Sequence, residues 1–196
     1  MSEYVYKIGN SAYINLTNDC TNACEFCIRN YKNGIKDYEL WIDREPTVKE
    51  VLDLLGEVKN YDEVVFCGFG EPTCRLDNLV SIGRRVREKG GKVRLNTNGH
   101  GLLIYGEKIV DELVGAVDVI SVSLNAPDKE SYDKLCHPIY RDAYESMLEF
   151  TSRCAKTGKF DIRMSVMEDI GAESVEKCRE IAKSLGATLL VRTMEK

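Results

Sequence analysis

Apolar positions along the chain follow two alternating rhythms. Short, nearly continuous apolar runs occur at Tyr4–Ile8, Tyr13–Leu16, Glu63–Phe69, Lys92–Asn96, Val117–Leu124, Phe160–Val166 and Ala187–Thr193. Runs of this length predict strands, and their near-continuity suits parallel strands covered on both faces. Between them the spacing changes to three and four, which predicts helices. One stripe is Val48, Val51, Leu52, Leu55 and Val58, with Pro46 expected at the first helical position. A second, Leu76, Leu79, Val80, Ile82 and Val86, is closed by Gly90-Gly91. Ile109, Val110 and Leu113 predict a third helix, and Tyr144, Met147, Leu148, Thr151 and Cys154 a fourth. Val175, Cys178, Ile181, Ala182 and Leu185 predict a fifth, stopped by Gly186. Gly9-Asn10-Ser11 reads as a hairpin turn between the first two strands.

From Tyr13 onward this gives six strands joined by helices. A βαβ unit uses about 30 residues and a full eightfold barrel about 250, so 196 residues hold about six units. With right-handed crossovers the expected fold is α/β: an open, three-quarter (βα)6 TIM-like barrel of parallel strands with an N-terminal β-hairpin extension. Residues 1–12 form the hairpin extension and 13–193 the barrel in a single domain, 1–196. Only Met194-Glu195-Lys196 follow the last strand, so no C-terminal auxiliary domain is expected. Site residues should gather at the C-terminal ends of the strands.

Composition narrows the class. At 43% hydrophobic and 30% charged, the chain has the balance of a soluble globular protein. No apolar stretch is long enough for a membrane span. Met1-Ser2-Glu3-Tyr4 lacks an export pattern, so a cytoplasmic location is expected. A net charge of −5 gives no broad electrostatic reason to expect nucleic acid. The basic run Arg84, Arg85, Arg87, Lys89, Lys92 and Arg94 reads as the solvated C-terminal end of a helix, where cations are favoured.

Eight cysteines in a reducing compartment argue against a disulfide framework. Cys67, Cys74, Cys136, Cys154 and Cys178 are scattered and read as small apolar fillers, Cys136 as a packed loop residue. Cys20, Cys24 and Cys27 instead crowd into the loop after the first barrel strand. Their spacings of four and three residues let one tight loop aim three thiolates at a common centre. A cubane cluster so held keeps one iron without a protein ligand. Two other readings stay open. Structural zinc wants four ligands, commonly two close pairs, and no partner pair exists, the two histidines His100 and His137 being isolated. A fully ligated electron-transfer or sensor cluster needs a fourth thiolate, for which Cys67 is available.

The loop resembles the signature of the radical S-adenosylmethionine superfamily, C-x3-C-x-aromatic-C, with Phe26 in the aromatic position. The resemblance runs from about Ile14 to Thr193. Cys67-Gly68-Phe69-Gly70-Glu71-Pro72 is similar to the family's Gly-Gly-Glu-Pro motif, with Phe69 in place of the first glycine. It implies that the strand-end backbone at Gly70 approaches a ligand, with Glu71 buttressing the loop or touching that ligand. Asn96-Thr97-Asn98-Gly99 is similar to the family's Thr-Asn-Gly turn, which implies Asn96 as a ribose partner. Alternation turns Ser121, Ser123 and Asn125 to one side of the fourth strand, toward the ribose or methionine portion of the cofactor. Arg163 and Ser165 share a face of the fifth strand. An arginine fork matches a carboxylate, so Arg163 is the candidate for the methionine carboxylate, the alternative being a structural ion pair with Asp161 or Glu168. The Ile-Asn-Leu-Thr, Ser-Leu-Asn-Ala-Pro and Leu-Cys-His-Pro stretches resemble the TatD-associated radical SAM subgroup most closely.

The resemblance implies a [4Fe-4S] cluster on Cys20, Cys24 and Cys27 with S-adenosylmethionine at the open iron. One electron then cleaves the sulfonium to methionine and a 5′-deoxyadenosyl radical, which abstracts hydrogen from a substrate. It also implies an electron donor such as flavodoxin or ferredoxin. An open barrel admits a macromolecular substrate or a partner that closes it. The subgroup leaves open whether a TatD-like hydrolase acts with the protein.

Overall fold

The computed structural model describes residues 3–193. Nine strands and seven helices are present among them. The hairpin is β1 (Val5–Ile8) and β2 (Ser11–Ile14), antiparallel and joined by Gly9-Asn10, so Ser11 belongs to the strand rather than the turn. Then come a two-residue ribbon, β3 (Gly34–Ile35) and β4 (Tyr38–Glu39), and α1 (Val48–Leu55). The core continues through β5 (Val64–Phe66), α2 (Leu76–Glu88), β6 (Val93–Thr97), α3 (Gly101–Tyr105), α4 (Lys108–Leu113) and β7 (Val119–Ser123). It ends with α5 (Lys129–Cys136), α6 (Ala143–Lys156), β8 (Asp161–Met167), α7 (Ala172–Ser184) and β9 (Thr188–Arg192).

The seven-stranded sheet has the order β1-β2-β5-β6-β7-β8-β9. Every neighbour pair from β2 onward is parallel. Sequential order without reversal is what right-handed βα crossovers produce when all helices lie on one face. The sheet is a partial, open TIM-like barrel, bounded by β1 and β9 with no pairing between them. The second strand of the hairpin is thus also the first parallel strand, through Ala12–Ile14 against Val64–Phe66.

Alternation along each strand divides the molecule. Ile14, Phe66, Leu95, Val122 and Met164 point outward into one continuous core against the helices. The opposite faces line the concave side. There the register aligns Asn96, Ser121, Arg163 and Thr188 in one layer, and Ser123, Ser165 and Leu190 in the next toward the strand ends.

Local chemistry explains most boundaries. Thr47 caps α1, its hydroxyl accepting from Glu50 N while Glu50 reaches back to the Thr47 backbone, a reciprocal capping box. Pro46 therefore lies just outside the helix and not at its first turn. Cys136 is the last residue of α5 and not a loop residue. Apolar spacing missed α3, α5 and the ribbon at residues 34–39, because these are short or dominated by charged residues. Met194-Glu195-Lys196, on which the expectation of no further domain rests, lie outside the described residues.

Gly83 sits where α2 crosses the chain entering β7, and a Cβ there would lie 2.4 Å from the Ala116 carbonyl oxygen. Gly83→Ala gains about 1 kcal/mol of helix propensity but forces α2 off a backbone oxygen, an overpacking cost of about 1–3 kcal/mol. Net destabilisation of about 1 kcal/mol is expected in chemical denaturation. An unchanged or raised midpoint would show that α2 has room to move.

Candidate functional site

The cysteine loop leaves β2 at the C-terminal end of the sheet, and all three thiols are half-buried. Its backbone is clamped from outside. Ala23 N donates to Cys136 O and Glu25 N to Leu135 O, both at 3.0 Å, and Ile139 N donates to Thr21 O at 3.0 Å. Inside the loop Cys27 N bonds Cys24 O at 3.1 Å. Arg29 holds the carbonyls of Asn18 and Asn22, each at 3.3 Å. The Leu-Cys-His-Pro stretch is thus a strap over the cysteines. His137 caps α5 in the left-handed conformation, φ 45°, which turns the chain into this strap.

Behind the loop lies a buried polar network. Glu71 is 3% exposed. Its carboxylate accepts from Thr73 N at 3.0 Å, Thr73 Oγ1 at 2.7 Å, Thr97 Oγ1 at 2.8 Å and Asn98 N at 2.7 Å. Burial raises its pKa, and those donors oppose the rise. With four donors directed at it, Glu71 ties its own turn to the end of β6. Asn98 continues the chain: Nδ2 donates to Thr21 Oγ1 at 2.8 Å and approaches Cys20 Sγ at 3.9 Å. Thr21 Oγ1 also lies 2.8 Å from His100 Nδ1. His100 Nε2 lies 2.9 Å from Tyr132 OH, which also accepts from Asn22 Nδ2 at 3.1 Å. Sequence reasoning missed Thr21, Asn22, His100 and Tyr132. They come from three separate segments, and no spacing rule links them.

Gly70 lies tightly against neighbouring backbone. A Cβ on it would lie 2.3 Å from Thr17 O and 2.5 Å from Asp19 O. The glycine lets the 67–71 segment lie flush against the strand end leading into the cysteines, with Gly70 N donating to Thr17 O at 3.0 Å.

Of the other candidates, Phe26 and Asn125 line one cavity of about 570 Å³ beside the cysteine loop, together with Leu135, Met167 and Ile170. Asn125 holds a left-handed φ of 61°, which an asparagine tolerates. Its Nδ2 donates to Cys136 Sγ at 3.3 Å, while its buried Oδ1 has no partner. Ser121, Ser123 and Ser165 line the concave face as alternation predicts. Asn96 is there too, occupied by Arg94 Nη1 at 2.9 Å and by the Cys67 thiol. Arg163 is bound to Asp161 Oδ2, at 2.6 Å through Nη2 and 3.2 Å through Nε. This is the ion pair of the alternative reading, made through Nε and Nη2 to a single, half-exposed carboxylate oxygen. Five of the six residues of the basic run are paired with carboxylates: Arg84 with Glu112, Arg85 with Glu88, Arg87 with Asp118, and Lys92 and Arg94 with Glu63.

The donor set fits an iron–sulfur cluster. Three cysteines on one clamped loop supply the soft sulfur ligands such clusters take. Burial pushes the Cys20 thiol up to about 12, and a hydrogen bond with Cys136, with burial, holds the Cys24 thiol up. Bound iron reverses that cost by deprotonating the ligand outright. Among the described residues no three cysteine, histidine or acidic side chains converge on one metal position, Cys20, Cys24 and Cys27 included, so the loop supplies the ligand types without holding them in a preformed centre. The Cys67 thiol faces Asn96 on the concave side. The cavity falls in the roughly 300–1,000 Å³ range of ligand pockets, and the orphaned Asn125 Oδ1 and Asn22 Oδ1 are acceptors awaiting donors.

Burial lowers the His100 pKa from the ordinary 6.5 to about 4, in keeping with a neutral ring between Thr21 and Tyr132. Below the unfolded value the unfolded chain binds a proton the folded chain refuses, so stability falls as pH drops from about 6.5 toward 4. Between pH 7.5 and 5 the loss from this group is about 2 kcal/mol. Urea denaturation of the wild type and His100→Gln should differ by that much in pH dependence. Equal pH dependence would show that His100 titrates normally.

Comparison with known proteins places this arrangement. A protein of Methanocaldococcus jannaschii, named as a glycyl-radical enzyme activating enzyme, is 26% identical over 168 residues, 85% of this chain and 65% of its own length. A second, from Exiguobacterium sibiricum, is named as a dual-specificity RNA methyltransferase. It is 23% identical over 132 residues, 64% of this chain and 36% of its own. The chain thus spans less than two thirds of either relative. Among solved structures, Streptococcus suis SuiB bound to its precursor peptide SuiA superposes with a TM-score of 0.74 at 17% identity, covering 97% of this chain and 40% of that one. The [FeFe]-hydrogenase maturase HydG of Carboxydothermus hydrogenoformans gives 0.68 at 16% identity, over 95% and 44%. These two show a shared fold. The sequence profile of the Radical SAM superfamily matches residues 14–185, from the first parallel strand to the end of the last helix, and the chain belongs to that superfamily.

Proposed function

We propose that this chain is the catalytic core of a radical S-adenosylmethionine enzyme, with Cys20, Cys24 and Cys27 holding a [4Fe-4S] cluster. The observation that carries the reading is the clamped loop of three cysteines beside the 570 Å³ cavity lined by Phe26 and the unsatisfied Asn125. When bound, the cluster and S-adenosylmethionine together supply a 5′-deoxyadenosyl radical for hydrogen abstraction.

The chain's own residues do the rest. Phe26 and Ile170 give the cavity apolar wall against which a nucleoside base can pack. The free Asn125 oxygen accepts a hydrogen bond from the cofactor. Ser121, Ser123 and Ser165 offer small polar groups on the concave side, and the Glu71 network keeps the loops in register. The strap at residues 135–139 limits water on the outer side of the cysteines.

We infer a macromolecular substrate, supported by the open barrel edge and by relatives named as an activating enzyme and as bound to a precursor peptide. The electron donor is of the flavodoxin or ferredoxin type. Among the described residues no helix is long and apolar enough to cross a membrane, and a reducing cytoplasm suits the free thiols.

Anaerobic reconstitution of the full chain should yield about four irons per chain, the content of one cubane. Reduction with S-adenosylmethionine should then release 5′-deoxyadenosine. Cys24→Ala should abolish that product, by at least about 100-fold, and lose most of the iron with the fold intact by circular dichroism. Retained product in Cys24→Ala, or zinc as the metal taken up, would overturn the proposal.

A further inference from the structure

Cys24 has a partner outside its own loop. Its thiol shares a hydrogen bond with the thiol of Cys136, the last residue of α5. Backbone bonds bracket that contact. Ala23 N donates to Cys136 O and Glu25 N to Leu135 O, both at 3.0 Å, which sets the two segments about 5 Å apart, as in paired strands. A disulfide takes Cα atoms roughly 4.4–6.8 Å apart, so the two cysteines can be joined without moving the chain. Asn125 Nδ2 donates to Cys136 Sγ at 3.3 Å and holds that sulfur in place.

The pair is asymmetric. Cys136 is buried in the core, whereas Cys24 is only half-buried. An oxidant reaches Cys24 first, and Cys136 lies beside it to resolve the product. While Cys24 is so engaged, the three cysteines of the loop do not converge on one metal position.

We propose that Cys24 and Cys136 are a redox pair that closes to a disulfide in the metal-free chain and so withholds one sulfur ligand from the loop. The disulfide itself needs no radical chemistry; its effect on metal uptake rests on the cluster reading. The oxidant is a low-molecular-weight disulfide such as glutathione disulfide. The Cys24 thiolate attacks one of its sulfurs and expels one glutathione thiolate. The Cys136 thiolate then attacks Cys24 Sγ in the mixed disulfide and expels the second. Two protein thiols are oxidised, one disulfide is reduced, and the two protons end on the released glutathiones. Excess reduced glutathione runs the exchange backwards, which suits the transient disulfides of a reducing compartment.

The test is disulfide mapping joined to metal uptake. The full metal-free chain is incubated anaerobically with glutathione disulfide, quenched with N-ethylmaleimide and mapped by non-reducing peptide mass spectrometry. A peptide linking Cys24 to Cys136 should accumulate, while Cys154 and Cys178 in the core stay unlinked. Cys136→Ala should instead stop at the mixed disulfide on Cys24, with its fold checked by circular dichroism; wild-type mapping decides the matter if that variant does not fold. The oxidised chain should take up at least about fivefold less iron than the reduced chain, having two loop thiolates in place of three, and dithiothreitol should restore it. Cys24 linked to Cys20, Cys27 or Cys74, or left unlinked, overturns the pair. A link between Cys24 and Cys136 with undiminished iron uptake overturns its role as a gate. Iron uptake by the reduced chain separates this proposal from the radical reading: about four irons without the link sinks the pair alone, and no iron sinks the cluster whatever the link shows.

Discussion

One buried carboxylate holds the strand ends together. Glu71 gathers donors from its own turn and from the end of β6, and Asn98 passes the constraint to Thr21 and so to the cysteine loop. A buried anion is expensive unless every lone pair is used. The arrangement therefore tolerates little displacement of the three segments it joins. That rigidity is what a reactive centre needs from loops, which are otherwise the mobile part of a barrel.

The parallel sheet makes the arrangement possible by simple geometry. All six parallel strands point their C-terminal ends the same way, so the segments following β2, β5, β6 and β7 converge without further design. Helices cover only the outer face, and the concave face is free to be polar. Serines, Asn96, Arg94 and Arg163 occupy positions that in a closed barrel would be filled with branched apolar side chains.

Much of this was legible in the residues. The cysteine spacing and Phe26 marked the loop. The nearly continuous apolar runs located every parallel strand within a few residues, because strands buried on their outer face must be apolar there whatever the ligand. The misses have physical causes. Arg163 looked like a carboxylate fork because a strand shows which face a side chain takes and not which neighbour claims it; Asp161 lies two residues away on that face. Gly70 was read only as making room for a ligand, and its missing Cβ also makes room for the backbone of Thr17 and Asp19, which no local pattern shows. His100 looked isolated because its partners Thr21 and Tyr132 are distant in sequence and meet only in the folded chain.

The strap over the cysteines has a temporal meaning. Asn22 and its partner Tyr132 are 110 residues apart in sequence. A ribosome adds about 5–20 residues per second, so the thiols precede the segment that fixes their loop by roughly 6–22 seconds. Metal delivered to the nascent chain would meet an unformed loop. If the loop holds the proposed cluster, its assembly therefore belongs after synthesis of the segment at residues 132–139.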